Sequence, residues 1–234
     1  MKRKASSHGA TGRARILLVD DHPLMREGVA QWIRRASDLE VCGEAEDAAL
    51  ALQLVRERRP DLVVIDISLK EGSGVELVKQ IHVEDPSIRM LVCSMHDETL
   101  YAERALRAGA MGYLNKQEPA ESIMRAVRTV LGGRVYASEE LADRVLRRVS
   151  RGTDNPGDSL LDALSDRELE VLGLLGEGLS TRQIADHLHL STKTIDTYRE
   201  HLKTKLNLQN AIELLRFAVA CSLDPDSPIK SKKP

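Results

Sequence analysis

The first part of the chain alternates between short apolar runs and longer amphipathic stretches. The short runs predict strands near residues 15–20, 39–44, 62–66, 88–94 and 111–115. The stretches with helical spacing predict helices over residues 23–36, 47–58, 73–84, 97–108 and 118–131. This alternation is typical of repeated βα units, so we expect an α/β domain with a five-stranded parallel, doubly wound sheet over residues 14–132.

The strand pattern stops at Gly133, and a linker is predicted over residues 133–159. Its first part, residues 138–149, has the pattern of a charged helix. The part that follows, residues 150–158, consists almost wholly of turn and linker residues. The domain boundary is therefore expected within this segment.

A smaller all-α domain is predicted over residues 160–222, where the apolar spacing is helical throughout. Ser165, Ser180 and Ser191 each stand where a helix N-cap is expected, and Ser165 and Glu168 have the spacing of a capping box. Residues 223–234 are rich in Pro, Ser and Lys and are predicted to be a disordered tail.

The composition is that of an ordinary globular protein, with 42% hydrophobic and 30% charged residues. No apolar run approaches the roughly 18 to 20 residues of a membrane-spanning helix, and the N-terminus lacks the apolar stretch of a signal peptide. We therefore expect a cytoplasmic protein with no membrane partner. The net charge of -2 means that any basic surface for nucleic acid must be local. Cys42, Cys93 and Cys221 lack paired spacing and are expected to be buried free thiols.

Polar side chains follow four of the predicted strands. Asp20 and Asp21 come after the first strand, Asp66 after the third, Ser94 after the fourth and Lys116 after the fifth. The carboxyl ends of parallel strands lie at one edge of a sheet, so these side chains meet there if the first and third strands are neighbours. Each residue alone also has an ordinary structural explanation, such as a helix cap, a turn or a surface charge. Their joint placement favours a single chemical site.

Three carboxylates at one point would repel one another unless a cation joins them. Mg²⁺ prefers oxygen ligands and keeps several waters, so it suits this site better than zinc does. Such an ion would neutralise charge on an incoming phosphoryl group and leave one carboxylate to attack it. The strand ends therefore predict a metal-dependent phosphoacceptor site.

Three segments around these strand ends resemble the receiver domain of two-component systems: Leu17-Leu-Val-Asp-Asp-His-Pro-Leu-Met-Arg-Glu-Gly28, Val63-Val-Ile-Asp-Ile-Ser-Leu-Lys-Glu-Gly-Ser-Gly74 and Ala108-Gly-Ala-Met-Gly-Tyr-Leu-Asn-Lys116. The resemblance implies that Asp66 is the phosphoacceptor and that a histidine kinase is its partner. It also implies a catalytic set made by Asp66, Ser94 and Lys116. The Mg²⁺ site it implies is made by Asp20, Asp21, Asp66 and the Ser68 carbonyl. Lys70 stands where the family usually has proline, a departure that concerns the loop and not the chemistry.

The same resemblance implies that Ser94 and Tyr113 form a switch pair. A phosphoryl group adds about -1.5 to -2 charges and strong hydrogen-bond acceptors. It would draw Ser94 and Lys116 towards it, move the loop after the fourth strand and let Tyr113 turn inward. An ordinary aromatic residue at the sheet edge is the alternative interpretation of Tyr113.

Three segments of the all-α domain suggest a helix-turn-helix: residues 164–172, 178–188 and 190–206. They resemble the LuxR-type DNA-binding domain of response regulators of the NarL/FixJ class. The apolar residues of these segments are predicted to form the core of the domain: Leu169, Val171, Leu172, Leu175, Ile184, Ala185, Leu188, Ile195, Leu202 and Leu206.

Eight polar residues are candidates for DNA contacts: Thr181, Lys193, Thr194, Asp196, Thr197, Arg199, Glu200 and Lys203. Groups near helix N-termini suit phosphate oxygens, and an acid can accept a hydrogen bond from cytosine N4. Pairing within the helix is an equal alternative for the two acids, Asp196 with Arg199 and Glu200 with Lys203 or Thr204.

The final helix, predicted over residues 210–221, carries more apolar residues than one interface needs. These are Ile212, Leu215, Phe217, Val219 and Ala220. The family resemblance implies dimerisation through this helix, and a homodimer on DNA would read paired half-sites.

The leading hypothesis is a phosphorylation-dependent transcriptional regulator that catalyses only its own phosphoryl transfer and slow dephosphorylation. A metal-dependent phosphatase or phosphotransferase with Asp66 as nucleophile is an alternative, but it predicts a second acid at the position of Ser68. A constitutive DNA-binding protein with a vestigial receiver is another, and the complete set of site residues argues against it. The absence of a P-loop disfavours an ATP-binding enzyme.

Overall fold

The chain folds into two compact units that divide between Ser138 and Glu139. The computed structural model describes residues 12–69, 73–95, 98–139, 141–143 and 160–223. The predicted linker segment 150–158, most of its preceding helix and the predicted tail from residue 224 lie outside these ranges. Within the described part of the chain, no helix is long and apolar enough to cross a membrane.

The first unit contains the predicted parallel sheet. Its strands are β1 (Ala14–Val19), β2 (Leu39–Ala45), β3 (Leu62–Ile65), β4 (Arg89–Ser94) and β5 (Gly112–Asn115), in the order β2-β1-β3-β4-β5. The strands are rich in Val, Ile and Leu because both faces of a doubly wound sheet are covered by helices. The prediction of a five-stranded parallel sheet is confirmed.

Five helices cover this sheet, close to the predicted ranges. They are α1 (Pro23–Arg34), α2 (Ala48–Arg58), α3 (Gly74–Glu84), α4 (Glu98–Ala108) and α5 (Ala120–Leu131). Gly109 follows α4 with a φ of +114°, a backbone conformation that glycine adopts without strain. One apolar core lies between the sheet and helices α1 and α5, and includes Ile16, Leu18, Ile33, Leu91 and Val127. Alternate strand residues such as Leu17 and Val19 point to the other face and are also buried.

Residues beyond α5 cover one edge of the sheet. Tyr136 forms a parallel bridge with Gly112, and its carbonyl accepts a hydrogen bond from the Tyr113 amide at 3.0 Å. The segment around Tyr136, which the sequence assigns to the linker, therefore lies along β5 in the first unit. This pairing satisfies backbone groups that would otherwise stand unpaired at the end of the sheet.

The second unit is helical, as predicted. A short 3₁₀ helix (Leu160–Ala163) precedes α6 (Asp166–Gly176), α7 (Thr181–His187), α8 (Thr192–Lys205) and α9 (Ala211–Leu223). The three predicted N-caps are confirmed, because the side chains of Ser165, Ser180 and Ser191 accept hydrogen bonds from backbone amides of the following turn. The capping box of Ser165 is also present. All ten apolar residues assigned to this core are buried.

The three cysteines are free thiols, but they differ in burial. Burial raises the pKa of Cys93 to about 12 and that of Cys221 to about 11, so both stay protonated at neutral pH. Cys42 is only half-buried, because it lies on the edge strand β2. Cys42 is a free thiol as predicted, but the prediction that it is buried is wrong.

Candidate functional site: an acidic pocket and a helix-turn-helix surface

Two carboxylates meet at the carboxyl edge of the sheet because β1 and β3 are neighbours. Val19 pairs with Ile65, so Asp20 and Asp66 leave adjacent strands at the same level. The Asp66 amide donates to the Val19 carbonyl at 2.8 Å and continues the ladder by one step. Asp66 is 4% exposed and Asp20 8% exposed. Asp20 and Asp66 therefore lie close together, as predicted from the strand ends.

The loop after Asp66 is held by a close backbone approach at Gly74. A Cβ atom at this glycine would lie 2.0 Å from the Asp66 carbonyl oxygen, which leaves no room for any other residue. The Gly74 amide donates to the Ile67 carbonyl at 2.8 Å, and Ser68 pairs with Ser73 across the loop. These contacts position Ser68 close to the acid, while Lys70 lies outside the described residues.

The Lys116 ammonium bridges the two buried carboxylates. Its Nζ atom lies 2.7 Å from Asp66 Oδ2 and 2.6 Å from Asp20 Oδ2, and the side chain is 2% exposed. Burial alone would lower the pKa of Lys116, but the charges of Asp66 and Asp20 outweigh it and the pKa is raised. Lys116 therefore stays charged at neutral pH and supplies the pocket with a fixed cation.

Asp21 and His22 complete the pocket on its open side. His22 Nδ1 lies 2.8 Å from Asp21 Oδ1, 3.5 Å from Asp20 Oδ1 and 4.0 Å from Asp66 Oδ2. Asp21 Oδ1 is buried but accepts no hydrogen bond of acceptable geometry from any residue that the structure describes, despite the nearby ring nitrogen. An unsatisfied carboxylate oxygen beside two further acids fits a divalent cation that takes oxygen ligands. The residues present thus fit Mg²⁺, with Asp20, Asp21 and Asp66 as side chains that could hold it.

Two residues near the pocket are not among the candidates that the sequence indicates. His22 directly follows the acid pair, and this position is the signal in the sequence that could identify it. Arg26 donates to the Asp20 carbonyl oxygen and pairs with Glu44 Oε2 at 3.3 Å. This arginine joins α1 to the end of β2 and fixes the backbone that carries the acids.

The two residues of the predicted switch pair are both buried. Ser94 is 0% exposed and Tyr113 is 1% exposed, on neighbouring strands β4 and β5. The Lys116 amide donates to the Ser94 carbonyl at 2.8 Å, which connects the ends of these two strands. Tyr113 is already buried in this structure, whereas the family resemblance implies that its ring turns inward only after phosphorylation.

Four of the eight candidates for DNA contacts form a stripe along α8. Lys193, Asp196, Thr197 and Glu200 are all exposed, and their spacing of three to four residues places them on one helical face. The opposite face is anchored by Ile195 and Leu202, both fully buried. Helix α8 therefore presents its polar side to solvent while its apolar side packs inside the domain.

Hydrogen bonds and an ion pair fix some of the candidates for DNA contacts to other residues of the domain. Arg199 Nη1 donates to Thr181 Oγ1, so these two residues tie α8 to α7. Asp196 and Arg199, both described residues, form no ion pair with each other, so this alternative pairing is absent from the structure. Glu200 pairs with Lys203 at 2.8 Å, as one alternative expected. Thr204 donates to the backbone carbonyl of Glu200 and not to its carboxylate.

Two family models match the chain over the regions just described. The response regulator receiver domain matches residues 16–128, and the LuxR family of bacterial regulatory proteins matches residues 162–218. The oxygen regulatory protein NreC of Staphylococcus epidermidis is 34% identical over 210 residues, which are 88% of this chain and 96% of the relative. NreC of Staphylococcus carnosus is 33% identical with the same coverage. This chain is a two-component response regulator of the NarL/FixJ class.

Solved structures of other response regulators show the same architecture. A LuxR-family regulator from Aurantimonas is 37% identical with a TM-score of 0.55, covering 59% of this chain and 99% of its own. RcsB from Salmonella enterica, bound to promoter rprA in the presence of phosphomimetic BeF₃⁻, is 26% identical with a TM-score of 0.57. That likeness covers 88% of this chain and 98% of RcsB. The response regulator therefore combines a receiver with a LuxR-type DNA-binding domain, consistent with transcriptional regulation in a two-component system.

In the DNA-binding domain of this response regulator, the buried side chain of Glu168 links the start of α6 to the end of α8. Glu168 is 3% exposed, caps α6 with Ser165, and accepts from Lys205 Nζ at 2.7 Å. Burial alone would raise the pKa of Glu168, but the hydrogen bonds from Lys205 and Ser165 outweigh it and lower the pKa. The sequence identified the local capping box but not the long-range bond to Lys205.

Helix α9 of the regulator has two apolar faces. Leu214, Phe217 and Cys221 are buried inside the domain. Ile212, Leu215 and Val219 are 66%, 46% and 39% exposed, and their spacing places them on one stripe. Phe217, which the sequence counted towards a second interface, belongs to the core instead.

Proposed function

We propose that Asp66 accepts a phosphoryl group from a histidine kinase and that this reaction controls DNA binding. The bridge from Lys116 to both Asp66 and Asp20 is the observation that carries the proposal. A buried carboxylate next to a fixed ammonium can attack a phosphorus atom, while the ammonium pairs with the phosphoryl oxygens. The carboxylate oxygen forms a new bond to phosphorus as the bond to the kinase histidine nitrogen breaks.

The pocket residues have distinct parts in this reaction. Asp20, Asp21, Asp66 and the carbonyl of Ser68 would hold Mg²⁺, which would neutralise charge on the phosphoryl group. Lys116 would move from the two carboxylates to the phosphoryl oxygens. The Ser94 hydroxyl would donate a hydrogen bond to the same phosphoryl group. Tyr113, the other member of the switch pair, would change position in response. The chain would act as an enzyme only on itself, in phosphoryl transfer and slow dephosphorylation.

The exposed stripe of α8 supports sequence-specific DNA binding. A helix of this kind enters the major groove, where Asp196, Thr197 and Glu200 could meet base edges. Lys193, Thr194 and Lys203 would contact phosphates, and the bond from Arg199 to Thr181 would hold α7 against α8. The structure of RcsB on promoter DNA, a protein with the same two domains, supports this part of the proposal.

The exposed apolar stripe of α9 supports a homodimer on DNA. Ile212, Leu215 and Val219 would pack against the same residues of a second copy, because a two-fold interface uses one patch twice. Phosphorylation would favour the dimer, and the dimer would bind two half-sites. Binding to DNA and to a kinase would place the protein in the cytoplasm.

Mass spectrometry after incubation with acetyl phosphate and Mg²⁺ tests the phosphoacceptor. The wild-type protein should gain one phosphoryl group, and Asp66→Ala should gain none. Asp186→Asn, which removes an exposed carboxylate of α7, is the matched control and should still be phosphorylated. An adduct that survives Asp66→Ala would refute the assignment.

The dimer is tested by sedimentation of the phosphorylated, full-length protein. Wild type should sediment as a dimer, and Ile212→Ser should remain a monomer with weakened binding to a two-half-site DNA. Leu24→Ser removes a different exposed apolar side chain, 90% exposed on α1, and should still dimerise. A monomeric wild-type protein that binds DNA fully would contradict the role of α9.

A further inference from the structure

His22 occupies a fixed position at the mouth of the acidic pocket. Its backbone is extended, with φ -92° and ψ 104°, because the following Pro23 disfavours the helical region. Its amide donates to Asp20 Oδ1 at 2.9 Å, which ties the residue to the acid beside it. The ring is thus placed by the local backbone and by Pro23 at the start of α1.

The distances from the His22 ring match those between ligands of one metal ion. In an octahedral complex with bonds of about 2.1 Å, neighbouring ligand atoms are about 3.0 Å apart and opposite ones about 4.2 Å. Nδ1 lies 2.8 Å from Asp21 Oδ1, 3.5 Å from Asp20 Oδ1 and 4.0 Å from Asp66 Oδ2. The first two distances fit neighbouring positions, and the third fits an opposite position.

An imidazole ligand changes which ions a carboxylate pocket prefers. Mg²⁺ favours oxygen ligands, whereas the imidazole nitrogen suits ions such as Co²⁺, Ni²⁺ and Zn²⁺. Three carboxylates alone would discriminate weakly in favour of these ions. A nitrogen ligand adds affinity for the transition ions and almost none for Mg²⁺.

We propose that His22 is a fourth side-chain ligand of the pocket and gives it a second, transition-metal binding mode. In this mode Nδ1 of His22 binds the ion together with oxygens of Asp20, Asp21 and Asp66. The proposal rests on the proposed metal pocket of the receiver and goes beyond it, since a Mg²⁺ site does not need His22. The ion would compete with Mg²⁺ for the same carboxylates.

Isothermal titration with Co²⁺ and with Mg²⁺ tests the proposal on the full-length protein. The change His22→Asn should raise the dissociation constant of Co²⁺ by about tenfold, and that of Mg²⁺ by less than about twofold. NMR of the Co²⁺-loaded wild-type protein should show strongly shifted imidazole proton signals that disappear in His22→Asn. His187→Asn, at an exposed histidine in the second unit, should change neither measurement.

The outcomes separate this inference from the function on which it rests. Equal weakening of Co²⁺ and Mg²⁺ in His22→Asn, or a lack of shifted imidazole signals in wild type, would overturn the role of His22 and leave the Mg²⁺ pocket standing. Failure of wild type to bind either ion would overturn the pocket itself. Loss of both ions in Asp21→Asn, with the selective loss in His22→Asn, would support a shared site.

Discussion

Lys116 and Asp66 are 50 positions apart in sequence, and their Nζ and Oδ2 atoms lie 2.7 Å apart, with both side chains almost fully buried. The same ammonium lies 2.6 Å from Asp20 Oδ2, so one cation serves two carboxylates. Breaking a buried pair is costly because it leaves a charge without compensation. Lys116 therefore stabilises the pocket before any ligand binds, and the proposed phosphorylation of Asp66 would require this bond to rearrange.

Replacing this lysine should expose the repulsion among the acids. We expect Lys116→Met to lower the free energy of unfolding of the receiver by about 3 kcal/mol without added metal. Mg²⁺ should restore part of this loss, because a second cation can take the place of the ammonium. Urea unfolding with and without Mg²⁺, followed by fluorescence of Trp32, measures both effects.

A surface lysine provides the control for this experiment. Lys79 pairs with Glu76 at 3.2 Å, but both side chains are about half exposed. Lys79→Met should change the free energy of unfolding by less than about 0.5 kcal/mol and should not alter the response to Mg²⁺. Similar losses in the two variants would show that burial of Lys116 has no special consequence.

Gly74 should be intolerant of a single added methyl group. A Cβ would lie 2.0 Å from the Asp66 carbonyl oxygen and 2.8 Å from Ile67 Cα, so the loop that follows Asp66 must shift. We expect Gly74→Ala to destabilise the receiver by about 2 kcal/mol and to slow phosphorylation by acetyl phosphate. Urea unfolding and mass spectrometry over time measure these two changes.

Gly28→Ala is the matched control, because apart from its own helix backbone and its two chain neighbours no described atom lies within 4 Å of the position of its Cβ. This residue lies inside α1, where alanine is favoured over glycine. The change should stabilise the receiver by about 0.5 to 1 kcal/mol and leave phosphorylation unaltered. Normal phosphorylation in Gly74→Ala would contradict the idea that close packing at Gly74 positions Asp66.

The fold was predictable because its signals are local. Each apolar strand, such as β1, is followed by a stretch whose apolar residues have helical spacing. An alternation of strands and helices permits few topologies. The caps Ser180 and Ser191 could be located because a cap needs only the backbone of the next turn. The approach of Asp20 to Asp66 could be predicted only on the condition that β1 and β3 are neighbours, which the sheet order confirms.

The remaining features depend on side chains that meet only after folding. Nothing in local spacing indicates that Arg199 bonds to Thr181 across two helices, or that Lys205 reaches Glu168. The burial of Tyr113 depends on the packing around β5, and the sequence pattern does not determine the ring position. A contact of this kind holds two of the DNA candidates, Arg199 and Thr181, whereas the pair of Glu200 and Lys203 is local and could be expected from their spacing.

The Glu168–Lys205 bond should make the DNA-binding domain sensitive to acid. Because the pKa of Glu168 is lowered in the folded state, its stabilising effect is complete above the unfolded pKa of about 4.3 and disappears as pH falls through the folded value. We expect Glu168→Gln to weaken protection of α6 amides from hydrogen exchange at pH 7. The difference from wild type should shrink below about pH 4.

Glu177→Gln is the comparison for this acid effect, since Glu177 is exposed at the end of α6. It should leave the exchange of α6 amides unchanged at both pH values. A difference between wild type and Glu168→Gln that grows as the pH falls would have the wrong sign, and would mean that Glu168 carries its charge less readily in the folded domain.

Asp196 and Glu200 should differ in their effects on DNA sequence preference. Glu200 is paired with Lys203 at 2.8 Å, whereas Asp196 makes no ion pair with any residue that the structure describes. A base edge can therefore engage Asp196 without first breaking a bond. We expect Asp196→Ala to relax the preference at one base position, with a change of about 1 to 3 kcal/mol in discrimination. Glu200→Ala should have a smaller effect.

Selection of bound DNA sequences by the phosphorylated protein measures both preferences. Lys193→Ala is the control for a contact to phosphate: it should weaken binding to all sequences alike and reduce the salt slope by about one. If Asp196→Ala behaves in this uniform way, the carboxylate does not read a base. A larger shift in preference for Glu200→Ala than for Asp196→Ala would contradict this prediction. It would mean that Lys203 leaves Glu200 for a DNA phosphate, so that the freed carboxylate can reach a base.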